Sequence, residues 1–220
     1  MVVLRVQEAV VRELLQIKLM NKNLLIIFTR NPELGKCKTR LAESVGNENA
    51  LKIYKILLKH TLELTKQLKS DKAVYYSEQI RENDIWDKNI YQKHQQIGED
   101  LGIRMLHSFK KSFQSGYENV VVIGCDILDL KQQHIETAFT ALKSNDVVIG
   151  PAEDGGYYLL GMNKLYTNIF HNKKWGTSTV RGDTLNDLKN QKVILLELLN
   201  DIDIYNDIKD YDVLKSFLIK

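Results

Sequence analysis

Three cations crowd into a short glycine-containing turn near the start of the chain. Lys36, Lys38 and Arg40 lie in the segment NPELGKCKTR, just after Gly35. Backbone N–H groups at the start of a helix, with cations beside them, suit a diphosphate. The glycine spacing and the Lys-Ser/Thr pair of a Walker A loop are absent. A solvated basic turn is the alternative, but the helix dipole disfavours cations there, so we predict a phosphate-binding loop.

A second polar cluster, GCDILD, follows the most apolar run of the chain. A carboxylate that leaves a buried strand can bind Mg²⁺, which in turn binds substrate phosphates. For Asp126, which is nearer the end of the strand, we predict contact with a metal or a ribose. Asp129 is expected to cap a helix that begins near Gln132.

The third cluster is PAEDGGYY, in which two acids precede a pair of glycines. Gly155 and Gly156 allow the backbone to approach a ligand closely while Glu153 and Asp154 face it. The same Asp-Gly-Gly sequence is also a good hairpin turn, so both interpretations stay open. Trp175, which precedes GTST, either lines a pocket or belongs to the core.

The fourth cluster, DIDIYND, carries acids at alternate positions near the end of the chain. If the segment is extended, Asp201 and Asp203 lie on one face. We place Asp203 with Asp126 as a candidate metal ligand. Asn206 and Asp207 serve equally well as caps of a terminal helix.

These clusters follow predicted strands, and apolar periodicity supplies the remaining elements. Strands are predicted at residues 24–28, 73–76, 120–123, 147–149, 157–160 and 193–198, with a short one near Ile97. Helices are predicted from Thr39 and at residues 47–68, 101–113, 132–142, 179–189 and 206–218. The alternation indicates an α/β three-layer sandwich with a mostly parallel mixed sheet, antiparallel only where no helix separates Val147 from Tyr157.

The runs 24–28 and 120–123 should be neighbouring strands buried on both faces. Ligands bind outside the carboxyl ends of such strands, so Lys36, Arg40, Asp126 and Asp154 should meet in one cleft.

Composition narrows the class of protein. The 220 residues fit one domain, which we assign to residues 21–220, preceded by an extra amphipathic helix over residues 1–20. The net charge of +3 is too small to indicate nucleic-acid binding. No apolar run is long enough for a membrane span, and two distant cysteines point to a reducing compartment, so a cytoplasmic protein is expected. Nothing in the sequence predicts a particular oligomeric state.

Taken together, the clusters resemble the bacterial glycosyltransferase-like family often labelled radical-SAM/selenodomain-associated transferase. That family belongs to the nucleotide-diphospho-sugar transferase superfamily, which has the GT-A fold. The matching stretches are GKCKTRLA from residue 35, GEDLGIRM from residue 98, IGCD from residue 123, GPAEDGGYYLL from residue 150, and more weakly WGTSTV and DID. They run in the family's order between about residues 24 and 210. The family usually has a proline after its strand-end aspartate, where this chain has Ile127-Leu128.

The resemblance implies a role for each matching stretch. The cations of the first loop would contact a diphosphate, and Asp126 would coordinate a divalent metal, Mg²⁺ or Mn²⁺. The stretch that contains Gly98, Asp100 and Gly102 would bind the nucleobase or the ribose. Asp154 and the two glycines after it would face the transferred group.

Three functions compete on this basis. The first is transfer from a nucleoside-diphosphate sugar, with a metal stabilising the leaving group and Asp154 or Glu153 as general base. The second is nucleotidyl transfer, as in molybdenum-cofactor guanylyltransferases, with Lys36 or Lys38 stabilising pyrophosphate. The first loop holds only one glycine, which favours the sugar transferase. The third is a non-catalytic nucleotide-binding module.

Overall fold

The computed structural model describes residues 22–218, so the proposed helix over residues 1–20 lies outside the described range. The strands are β1 (Asn23–Thr29), β2 (Asp71–Tyr76), β3 (Gln92–Gln95), β4 (Asn119–Ile123), β5 (Val147–Pro151), β6 (Tyr157–Met162) and β7 (Val193–Leu195). The α-helices are α1 (Thr39–Val45), α2 (Asn47–Thr65), α3 (Leu101–Gln114), α4 (Gln132–Ala141) and α5 (Val180–Asp187). None of the helices in this range is long and apolar enough to cross a bilayer.

All seven strands form one mixed sheet. Their order is β3-β2-β1-β4-β6-β5-β7. Strand β6 runs antiparallel to both of its neighbours, β4 and β5, whereas every other pair is parallel. The prediction of a mostly parallel sheet with one antiparallel element is therefore confirmed.

The two strands at the centre show why the sheet has a layer of helices on each side. β1 and β4 are parallel neighbours, with Leu25 opposite Val121, as their lack of polar alternation predicted. Leu25 packs with α1, α2 and α4 on one face, whereas Ile26, the next residue, packs with α3 on the other. Successive side chains of a strand point to opposite faces, so each central strand supplies both cores. The three-layer α/β class is confirmed.

Two elements differ from the sequence-based expectation. The short strand expected near Ile97 is instead β3, a polar edge strand, and Ile97 lies beyond its end with an exposed side chain. The expected terminal helix is two short 3-10 helices, Tyr205–Ile208 and Asp212–Phe217. Each contributes one fully buried apolar anchor, Ile208 or Leu214, and two anchors are too few for a continuous amphipathic helix.

Candidate functional site

A cavity of about 720 Å³ opens at the carboxyl ends of β1 and β4. Its walls include Lys36, Arg40, Asp126 and Asp154, which come from three distant parts of the sequence. The structure thus brings these four side chains into one cleft, as expected for loops at the ends of parallel strands. The other sequence-predicted residues that line it are Lys38, Asp100, Gly156, Trp175 and Asp203.

The peptide that ends β1 is held by a buried tyrosine on α2. The backbone N–H of Arg30 donates to the Tyr54 hydroxyl at 2.8 Å, and that hydroxyl donates to the Arg30 carbonyl at 3.1 Å. Burial raises the pKa of Tyr54 well above its usual range, so the phenol keeps its proton. Beyond it, the Asn31 side chain donates to the Gln79 carbonyl at 2.8 Å. The start of the basic loop is therefore fixed from two sides.

Each cation of the basic loop has a carboxylate partner. Lys36, which lines the cavity, has its Nζ 2.8 Å from Glu33. Lys38 Nζ lies 2.8 Å from Asp126, and Arg40 lies 2.8 Å from Asp203. Two of the three predicted phosphate-binding cations, Lys38 and Arg40, are thus paired with the two predicted metal ligands.

The acids near the C-terminal end are positioned by the backbone. Ile202 is fully buried, and its N–H donates to the carbonyl of Asp126 at 2.9 Å. Asp201 and Asp203, on either side of it, both line the cavity, as their alternate spacing predicted. The Asp207 carboxylate accepts the N–H of Asp203 at 2.8 Å and so closes the turn behind it. The four clusters of the sequence therefore converge on one site.

Asp201 is a cavity acid with a perturbed ionisation. Burial, reinforced by the nearby charge of Asp154, raises the pKa of Asp201 to about 6. Across residues 22–218, no lysine or arginine lies within 4.0 Å of either carboxylate. An unpaired, partly buried carboxylate is costly, and such groups concentrate at functional sites.

Four predicted residues do not line the cavity. Glu153 is exposed, and its backbone N–H donates to the Leu199 carbonyl at 3.1 Å. Gly98, Gly102 and Gly155 have packing roles instead. A Cβ on Gly102 would lie 2.5 Å from the Trp175 ring, and one on Gly155 would lie 2.3 Å from a neighbouring carbonyl. Gly102 thus acts indirectly, by letting the indole close over α3.

Contacts and burial describe three further residues at or near the cavity. Asp100 lines the cavity but also caps α3, because its carboxylate accepts the Ile103 N–H at 2.8 Å. Asp129 is not a cap, since Lys131 precedes α4 and the Asp129 carboxylate accepts the Tyr211 hydroxyl at 2.5 Å. Burial raises the pKa of Cys125 to about 12, so this cavity thiol stays protonated and is a poor nucleophile.

Sequence reasoning missed two arginines. Arg30 and Arg104 line the cavity, and no carboxylate in residues 22–218 lies within 4.0 Å of either guanidinium. Arg104 instead donates to the Gly98 carbonyl at 2.9 Å. Arg30 directly follows β1, so its place at a strand end was the available signal.

The carboxylates of the cavity suit one kind of divalent metal site. Within the described residues, no three His, Cys, Asp or Glu side chains cluster closely enough to hold a metal among themselves. Asp126 and Asp203 nevertheless share one cation, since Lys38 Nζ lies 2.8 Å from the first and 4.0 Å from the second. Mg²⁺ commonly takes one or two carboxylates and completes its shell with substrate phosphates and water. The residues fit a metal of that kind.

Comparison with known families identifies the family. A family model described as "Uncharacterized protein conserved in bacteria (DUF2064)" matches residues 61–177, more than half of the chain. The chain belongs to this family. The match includes Asp126 and Asp154, whereas the basic loop and the C-terminal acids lie outside it. No curated protein matches the sequence.

Solved structures agree with this assignment. A candidate nucleotide-diphospho-sugar transferase from Desulfovibrio desulfuricans G20 is 30% identical, with a TM-score of 0.77 over 89% of this chain and 91% of that one. A cytidylyltransferase from Leptospira borgpetersenii is 14% identical, with a TM-score of 0.54 over 91% and 89%. The 4-diphosphocytidyl-2C-methyl-D-erythritol synthase of Anaerococcus prevotii is 12% identical, with a TM-score of 0.54 over 84% and 92%. The last two show a shared fold alone. The resemblance seen in the sequence is confirmed.

Proposed function

We propose that this member of the DUF2064 family is a metal-dependent transferase that uses a nucleoside-diphosphate sugar. The observation that supports it most directly is the single cavity that joins the basic loop, Asp126, Asp154 and the acids at residues 201–203. A volume of about 720 Å³ lies within the range of small-molecule sites. The related structure from Desulfovibrio desulfuricans G20, a candidate enzyme of this class, supports the choice of substrate.

The diphosphate would be bound by cations on one side of the cavity. Arg30 has no carboxylate partner among the described residues, so its guanidinium is available to an incoming anion. A planar guanidinium can donate two parallel hydrogen bonds to a phosphate. Tyr54 fixes the Arg30 peptide, which lowers the cost of orienting that side chain when the ligand binds.

A divalent metal on Asp126 and Asp203 would neutralise charge on the leaving diphosphate. Asp154 is the candidate general base, because it is exposed to the cavity and has no cation partner within residues 22–218. The Gly156 N–H donates to Asp154 Oδ1 at 2.7 Å and leaves the other oxygen free. In this scheme Asp154 takes the proton of an acceptor hydroxyl, the acceptor oxygen bonds to the sugar carbon, and the bond from that carbon to the diphosphate breaks.

The experiment has a binding arm and a product arm. The full chain is screened by thermal denaturation against nucleoside triphosphates, nucleoside diphosphates and nucleoside-diphosphate sugars, with and without Mn²⁺, because a ligand that binds only the folded state raises its stability. Ligands that stabilise the protein are then incubated with candidate acceptors. Release of a nucleoside diphosphate supports sugar transfer, whereas release of pyrophosphate indicates nucleotidyl transfer and overturns the proposal.

The matched variant is Asp154→Asn, which has nearly the same shape and lacks the basic oxygen. It should keep nucleotide binding and lose about 10²-fold or more in turnover, the usual contribution of a general base. Full turnover in this variant would show that Asp154 is not the general base. Absence of stabilisation by every nucleotide would overturn the proposed substrate class.

A further inference from the structure

Lys38 has an unusual backbone conformation for a lysine. Its φ of 50° and ψ of 49° lie in the left-handed region. Among residues 22–218, only Asn172 shares a positive φ without being glycine. Such a conformation costs free energy in a residue that has a Cβ, and it persists where surrounding contacts compensate the strain. The contacts of the side chain show what that compensation is.

The ammonium of Lys38 lies between two aspartates from distant segments. Its side chain is only 6% exposed, and Nζ is 2.8 Å from Asp126 Oδ1 and 4.0 Å from Asp203 Oδ1. Lys36, two residues earlier on the same turn, has a side chain that is 65% exposed and pairs with Glu33. The strained lysine is therefore the one whose charge is directed onto the candidate metal ligands.

Carboxylate oxygens of this kind are the ligands that hard divalent cations prefer. An ammonium and a metal ion cannot occupy the same position between them. We propose that Lys38 is a tethered counter-ion, which neutralises Asp126 and Asp203 until a metal and a diphosphate bind together. Asp126 and Asp203 would then hold the metal, and the Lys38 ammonium would turn to the diphosphate. This inference rests on the metal- and nucleotide-dependent function proposed above.

The exchange makes the binding of metal and diphosphate interdependent. If a metal binds alone, it displaces the Lys38 ammonium from Asp126. The charged ammonium is then left without a partner although its side chain is only 6% exposed, which is unfavourable. A diphosphate removes that penalty because it offers the ammonium a new anion. Coupling of this kind is reciprocal, and typical values change each affinity about 5- to 150-fold. The wild-type protein should therefore bind metal weakly until a diphosphate is present.

The test measures binding of Mn²⁺ alone, from the electron paramagnetic resonance signal of the free ion. Lys38→Met removes the ammonium from both acids, while Arg40 stays paired with Asp203, and the variant should bind Mn²⁺ about tenfold more tightly than the wild type. Lys93→Met is the matched control, because Lys93 has a side chain that is 7% exposed and lies 2.8 Å from Asp84, outside the cavity. It should leave the Mn²⁺ affinity unchanged.

A second measurement uses the unmodified protein and does not depend on a variant that folds. Acetylation of Lys38, located by mass spectrometry, should be slow in the protein alone and faster with saturating Mn²⁺. Addition of inorganic pyrophosphate should protect the amine again. Suppose that Mn²⁺ binds, but that Lys38→Met has the same Mn²⁺ affinity as the wild type and that Mn²⁺ does not change the acetylation rate. The counter-ion role of Lys38 is then overturned, while the metal dependence of the proposed function stands. If none of the three proteins binds Mn²⁺, the metal dependence of the proposed function falls with it.

Discussion

The unpaired carboxylate of Asp201 should lower the free energy of unfolding of the protein, and a single substitution that removes its charge should raise it. The pKa of Asp201 is raised from an ordinary value of 3.8 to about 6, first by burial and then by the charge of Asp154. Asp201→Asn keeps the shape of the side chain and removes the charge. We therefore expect the variant to be more stable than the wild type at neutral pH.

The magnitude follows from the shift in pKa. A rise of roughly two units corresponds to about 3 kcal/mol at about 1.4 kcal/mol per unit, as an upper bound. The shift already includes the opposing attraction of Lys38, and solvent screening weakens it further because Asp201 is only partly buried, so a gain of about 1–3 kcal/mol is expected. For a chain of this size, each kcal/mol raises Tm by about 2–4 °C.

The sign of the pH dependence is specific. The folded state binds the Asp201 proton more tightly than the unfolded state, so its contribution is favourable at low pH and is lost as pH rises through about 6. The stability difference between Asp201→Asn and the wild type should therefore grow between about pH 4 and pH 6 and then level off.

Urea denaturation at pH 4.5 and pH 7.5 measures this difference directly. Asp203→Asn is the matched control, because Asp203 pairs with Arg40 at 2.8 Å and its replacement removes an ion pair. The control should show no gain in stability at either pH. A variant at position 201 that is no more stable than the wild type at pH 7.5, or a gain that is equal at both pH values, would refute the reasoning.

Four other variants test three separate parts of the structure. Asp126→Asn should remove most metal-dependent nucleotide binding in calorimetric titration, whereas Asp129→Asn should leave it largely intact, because Asp129 only accepts a tyrosine hydroxyl. Gly102→Ala should cost about 1–3 kcal/mol in urea denaturation and shift the fluorescence of Trp175, since the new Cβ would lie 2.5 Å from the ring. Tyr54→Phe should lose about 1–3 kcal/mol, because a backbone N–H and a carbonyl at the strand end lose their shared partner. An unchanged midpoint in either of the last two variants would contradict the packing described.

The central strands were predictable because one physical signal dominates them. Residues 24–28 and 120–123 are apolar without alternation, which suits strands covered on both faces. β3 lacked that signal, because its sequence QKHQ is polar and sits at the edge of the sheet. Pairing with β2 forms it, and pairing is a tertiary property.

The glycines were harder to interpret. A glycine that lets a ligand approach and one that lets a side chain or carbonyl approach look the same in a sequence. Gly102 and Gly155 are of the second kind, because an indole and a backbone carbonyl occupy the space a Cβ would need. Only Gly156 of the predicted pair lies on the cavity wall. Residue type therefore identified the right loops but not the role of each position.

The ion-pair partners of the charged side chains in the cavity could not be predicted from the sequence, for a related reason. Alternation placed Asp201 and Asp203 on one face, but it carries no information about what that face meets. The meeting point is set by the hydrogen bond from the Ile202 N–H to the Asp126 carbonyl, which joins segments far apart in the chain. That bond and the burial of Ile202 bring Asp203 within 4.0 Å of Lys38, which already contacts Asp126. The charge balance of the site thus depends on the docking of the C-terminal segment, so a change that loosens Ile202 should disturb ligand binding without altering a single cavity charge.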